Sequence, residues 1–70
     1  MNVLVFLDDL RLDRSARVSL GEQLRQELRA AILEGRIHTG SRMPSSRFLA
    51  EHLSVARNIV ISVYQWFGQF

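Results

Sequence analysis

The chain has 70 residues, 47% of them hydrophobic, and a formal net charge of +2. A chain this short is one small domain that buries only ~60% of its unfolded surface, but it is too apolar for wholesale disorder. It has no cysteine, which excludes disulfides, thiolate zinc sites and cysteine nucleophiles and fits a reducing cytoplasm.

The first residues, Met1 to Leu7, are apolar, with no basic leader and with Asp8 and Asp9 directly behind them. That order does not suit a signal peptide. Val3 to Leu7 is β-prone and predicts a short strand or an extended arm docked on a partner surface. Asp8 to Val18 is mixed and polar and reads as a connector. Residues 1–18 are thus expected to be an arm and connector, and 19–70 the folded module.

Ser19 to Glu22 has the spacing of a capping box, in which the Ser19 hydroxyl accepts from the Glu22 amide and the Glu22 carboxylate reaches back to the Ser19 amide. Leu20, Leu24, Leu28, Ala31 and Ile32 follow as one helical stripe, with Arg25, Gln26, Arg29 and Glu34 off it. Gly35 suits the left-handed residue that ends a helix. The first helix is therefore predicted over 20–34. Gly35 to Met43 reads as a loop, with a possible short strand at Arg42 and Met43. Pro44 then precedes a second helix over about 46–53, capped by Ser45 or Ser46, with Leu49, Ala50 and Leu53 on its buried side.

Ser54 and Val55 form the next turn, and a third helix starts near Ala56 and Arg57. Ile59 to Tyr64 is rich in β-branched residues, and local propensity alone would allow a strand. Val60, Val63, Tyr64 and Phe67 fall on one helical face, and the short spacing from the second helix favours a tight helical turn. The apolar stretch from Ile59 to Phe70 is far shorter than the ~20 residues that a bilayer requires, and the chain is expected to be soluble.

Two short helices across a tight turn, with Arg57 and Asn58 opening the second, make the layout of a helix-turn-helix that reads DNA. The charge agrees. All nine cationic residues are arginine, and residues 36–58 carry four of them against Glu51 alone. Arginine forks match phosphates and guanine edges.

The order of these elements resembles the DNA-binding domain of the GntR family of bacterial transcription regulators. The resemblance rests on Ala31 to Ile37, Gly40 to Arg47, Leu49-Ala50 and Val55 to Asn58. The lead-in Leu10 to Arg14, with Pro44 to Arg47 and Arg57-Asn58, matches its MocR-like branch. It covers residues 10–67 and implies a mainly α, three-helix winged helix-turn-helix whose third helix enters the major groove. It implies that Arg47, Arg57 and Asn58 meet DNA, and Arg42, Ser45, Ser46 and Ile59 complete the DNA-facing set expected here. Arg57 would fork onto guanine, Asn58 would pair with adenine or a phosphate, and Arg47 and Arg42 would clamp phosphates. Double-stranded DNA is the implied partner, bound by a homodimer on a two-part site.

Several positions depart from the family pattern. Ala56 stands where a serine or threonine is usual, so a helix cap and a phosphate contact are lost. Ser54 replaces the usual turn glycine, which the turn tolerates if its backbone avoids the left-handed region. Ile59 replaces a threonine, Ile61 falls where some members carry arginine, and Phe48 takes a normally charged, outward position. The family's two-stranded wing should begin near Gly68, and the large pyridoxal-phosphate-binding domain of the MocR-like branch is not in these residues, so no cofactor is expected in this chain.

Blander readings stand beside these. Arg57 and Asn58 are also compatible with a solvated helix start, and Arg36 and Arg42 with plain surface charges. Gly35 to Arg42 lacks the lysine of a phosphate loop and follows a helix rather than a strand. His38 and His52 have no cysteine near them and no i, i+4 partner, so no metal site is expected. The serines suit caps and turns better than nucleophilic roles. Tyr64 and Phe67 continue the core stripe; Trp66 and Phe70 are left to cover the first helix or to form a self-association surface. The alternative function is a truncated remnant that serves as a protein-interaction module without DNA binding.

Overall fold

A computed structural model describes residues 10–37 and 43–67. It contains three helices: α1 (Leu20–Leu33), α2 (Ser46–Leu53) and α3 (Arg57–Trp66). No strand occurs among the described residues, and Met43 is irregular. The strand or arm expected before Leu10, and His38, Arg42 and Phe70, lie outside the described residues.

Local chemistry sets the helix ends. The Ser19 hydroxyl accepts from the Glu22 amide at 3.1 Å, which satisfies one of the unpaired amides of the first turn of α1. The reciprocal half of the capping box is replaced: the Glu22 carboxylate turns to the Arg25 guanidinium and the Gln26 amide. A full charge one turn ahead outcompetes a neutral backbone N–H. α1 ends one residue before the expected boundary, with Glu34 as its C-cap. Gly35 takes φ 77°, and the Arg36 amide donates back to the Ala31 carbonyl at 2.8 Å, as a left-handed helix terminus requires. Ser45 caps α2, its hydroxyl accepting from the Phe48 amide at 3.0 Å.

The core is built from Leu24, Leu28 and Ala31 of α1, Leu49 and Ala50 of α2, and Val60 and Val63 of α3. α3 packs against both other helices. This contact decides its conformation against local propensity. A β-branched residue costs ~0.5 kcal/mol relative to alanine in a helix. Burying a valine side chain gains ~1.5–3 kcal/mol, and α3 buries two.

Two further core residues come from outside the helices. Leu10 is 3% exposed and Ile37 is 1% exposed. The segment from Leu10 to Val18 has no helix or strand, as expected, but it is tied down throughout. Asp13 accepts from the Ser15 amide and hydroxyl at 2.9 and 2.7 Å, which holds its carboxyl below the usual carboxylate range. The Gln23 amide oxygen accepts from the Asp13 N–H at 2.7 Å, and its nitrogen donates to the carbonyls of Asp13 and Val18. Arg14 then reaches across to the far end of α2, donating from Nη2 to the Leu53 carbonyl at 3.2 Å and to the Ser54 carbonyl.

Candidate nucleic-acid interface

The turn between α2 and α3 decides how α3 is presented. Ser54 has φ 57° and ψ 46°, in the left-handed region. The Val55 amide donates to the Ala50 carbonyl at 3.0 Å, the same arrangement that Gly35 makes at the end of α1. The condition under which a serine would be tolerated here without cost, a turn that avoids left-handed backbone, is therefore not met. The Schellman-type bond fixes the conformation whatever residue occupies the position, and a side chain there costs ~1–2 kcal/mol. α3 follows at once from Ala56, which makes no side-chain cap hydrogen bond. The Ile59 amide donates to the Ala56 carbonyl at 3.1 Å, and the first turn keeps the positive end of the helix dipole without a side-chain oxygen over it.

Arg57 and Asn58 open α3 and are both exposed. Among the described residues the Arg57 guanidinium forms no ion pair; its Nε donates to the Ser46 hydroxyl at 3.3 Å, which links the starts of α2 and α3. Ser46 is half-buried and taken up by Arg57, while Ser45 is used as the cap of α2. Arg47 is 77% exposed and pairs with Glu51 at 3.6 Å, a contact that contributes ~0–1 kcal/mol when so open to water and yields readily to a phosphate. Tyr64 braces the same corner, donating from its hydroxyl to the Pro44 carbonyl at 2.9 Å.

Ile59 is half-buried and faces α1, with Cγ2 3.5 Å from the place a Cβ on Gly21 would occupy. It lines a shallow groove of about 570 Å³ between the start of α1 and α3, together with Arg25, Ser62 and Trp66. The exposed face of α3 runs through Asn58, Ser62 and Gln65, and Asn58 and Ser62 also form one wall of that groove. Sequence reading passed over Ser62 and Gln65, although both are polar residues at i+4 and i+7 from Asn58, which was the available signal.

Trp66 is 64% exposed, and the Arg25 guanidinium lies over its ring at 4.8 Å. Glu22 completes this row by pairing with Arg25, a bond that lowers the Glu22 carboxyl and raises the Arg25 guanidinium. Trp66 thus covers part of α1, one of the two roles considered for it. Phe48 is half exposed and stacks on His52, ring centroids 6.1 Å apart.

Two short helices across a tight turn, the second led by exposed cationic and amide side chains, define a helix-turn-helix domain. The family model of bacterial regulatory proteins of the gntR family matches residues 20–65. The chain belongs to the GntR family, whose helix-turn-helix is a non-enzymatic DNA-binding fold of transcription regulators. It is 47% identical over 55 residues to a protein of Rhizobium meliloti named "Probable rhizopine catabolism regulatory protein MocR", covering 79% of this chain and 11% of that one. It is 52% identical over 46 residues to the "HTH-type transcriptional regulator TauR" of Rhodobacter capsulatus, covering 66% of this chain and 10% of that one. The chain therefore spans about a tenth of the length of these relatives. No solved structure gives a significant match.

Proposed function

We propose that this chain binds a specific sequence of double-stranded DNA and acts in transcription regulation in the cytoplasm. The observation that carries the reading is Arg57 and Asn58, exposed side by side on the first turn of α3 with Arg57 steered by Ser46. In the bound state α3 lies in the major groove. Arg57 forks onto guanine O6 and N7, and Asn58 pairs with adenine or a phosphate. Arg47, released from Glu51, clamps a phosphate with Arg42, and the uncapped amides at the start of α3 favour a further phosphate. Ser45, Ser46 and Ile59 support this edge from behind. One such module makes few contacts, so useful affinity comes from a homodimer on a two-part site.

The test is selection of bound duplexes from a random pool, followed by Arg57→Ala at fixed salt. The substitution should weaken the selected site by ~1–3 kcal/mol and relax preference at one base pair. Affinity unchanged in that variant contradicts the assignment.

The exposed Trp66 supports a second reading, a protein-interaction module whose arginine face does not engage DNA. Salt separates the two. DNA binding weakens steeply as salt rises, whereas a module of the second kind shows no DNA association to weaken.

A further inference from the structure

We propose that Arg14 is a positioning residue of the DNA-binding site, a clamp that holds the turn between α2 and α3 in register; this rests on the DNA-binding reading above. Arg14 sits 39 and 40 residues from the two carbonyls it bonds, those of Leu53 and Ser54. These are the last carbonyls of α2, where the helix dipole is negative and a cation is favoured. The only basic residue in the last turn of α2 itself is His52.

Three features of this corner make an external tie useful. α2 has only eight residues, too few to hold its shape without outside contacts. Ser54 is the one non-glycine residue with positive φ among those described. Ala56 leaves the next helix without a side-chain cap. The turn that sets the angle of α3 thus holds one strained residue and leads into an uncapped helix, and Arg14 is bonded to the carbonyls where it begins.

Arg14 is itself anchored. Its neighbour Asp13 exchanges a pair of backbone hydrogen bonds with the Gln23 side chain on α1, and Leu10 is buried in the core. The path runs from the body of α1, through Gln23 and Asp13, to the carbonyls of the turn. Arg14 touches no base or phosphate in this role. Its removal lets the turn sample other geometries, which must then be re-ordered on binding.

The experiment uses the 70-residue chain with Arg14→Gln, Ser54→Gly and the double variant, titrated with the selected duplex across a salt series. Arg14→Gln should weaken binding about two- to fivefold, the scale of a cation at a helix C-terminus. The salt slope should stay unchanged, because no phosphate contact is lost. Ser54→Gly should restore the affinity of Arg14→Gln, because glycine removes the strain that the clamp opposes while keeping the carbonyl. An undiminished affinity in Arg14→Gln overturns the proposal. So does a shallower salt slope that Ser54→Gly fails to repair, which makes Arg14 a phosphate contact. If the unaltered chain selects no duplex, it is the DNA-binding reading that fails. The clamp is then read from melting temperature: a drop in Arg14→Gln reversed by Ser54→Gly upholds it, and no drop refutes it.

Discussion

Ala56 is the N-cap of α3 and has no side-chain oxygen with which to cap it. Its backbone is already extended, at φ −65° and ψ 139°, the geometry from which a serine hydroxyl reaches an amide of the first turn. Ala56→Ser should therefore stabilise the fold by ~1 kcal/mol and raise the melting temperature by ~4–8 °C; an unmoved midpoint would show that the serine leaves these amides to water. Tyr64 offers a second test at this scale. Burial pushes its hydroxyl up to about 12, from 10.0 for the free group. The folded state thus keeps a proton that the unfolded chain releases first, so the contribution is intact below pH 10 and is lost as pH rises towards 12. Tyr64 is the only tyrosine, so its ultraviolet titration follows this one group. The urea midpoint should fall over that window, and Tyr64→Phe should flatten the fall. A tyrosine that titrates near 10 in the folded protein would contradict the packing described.

Helix ends were legible in the sequence because they are local: Ser19, Ser45 and Gly35 each act within a turn of their own position. The conformation of α3 was legible from the spacing of Val60 and Val63, against its β-branched composition. What the sequence hid were contacts that no period marks. Leu10 and Ile37 are single apolar residues in irregular segments, yet both are core. The partners of Arg14 lie far along the chain, and nothing near Arg14 announces them. The left-handed Ser54 was left open by the sequence, because residue preference does not show the hydrogen bonds that impose the turn. The crossing of α1 and α3 yields a further prediction. A methyl on Gly21 would lie 3.5 Å from Ile59 Cγ2, an ordinary van der Waals contact. Gly21→Ala should then stabilise α1 by ~0.5–1 kcal/mol, visible as a higher urea midpoint; a lower one would mean that the two helices sit closer than described.

At the scale of the whole molecule, a small core supports one exposed edge. Total stability for 70 residues is ~3.5–10 kcal/mol. Loss of a fully buried leucine side chain costs ~2–5 kcal/mol, and Leu28 is 0% exposed at the centre of α1. Leu28→Ala should remove about half of that margin and lower the thermal midpoint of helical circular dichroism by ~10 °C or more; an unmoved midpoint would place the core elsewhere. Of the candidate site, Arg47, Arg57 and Asn58 were legible because cationic and amide residues at helix starts carry their own chemistry. The inward turn of Ile59 and the outward face of Ser62 and Gln65 became visible only once α3 was seated on α1. The central claim is that the start of α3 is the surface that meets DNA. Its most direct test is amide chemical-shift mapping while a selected duplex is added. The largest shifts should fall at residues 45–47 and 57–62. Shifts confined to residues 19–25 and 63–66, or a spectrum that the duplex leaves unchanged, would contradict it.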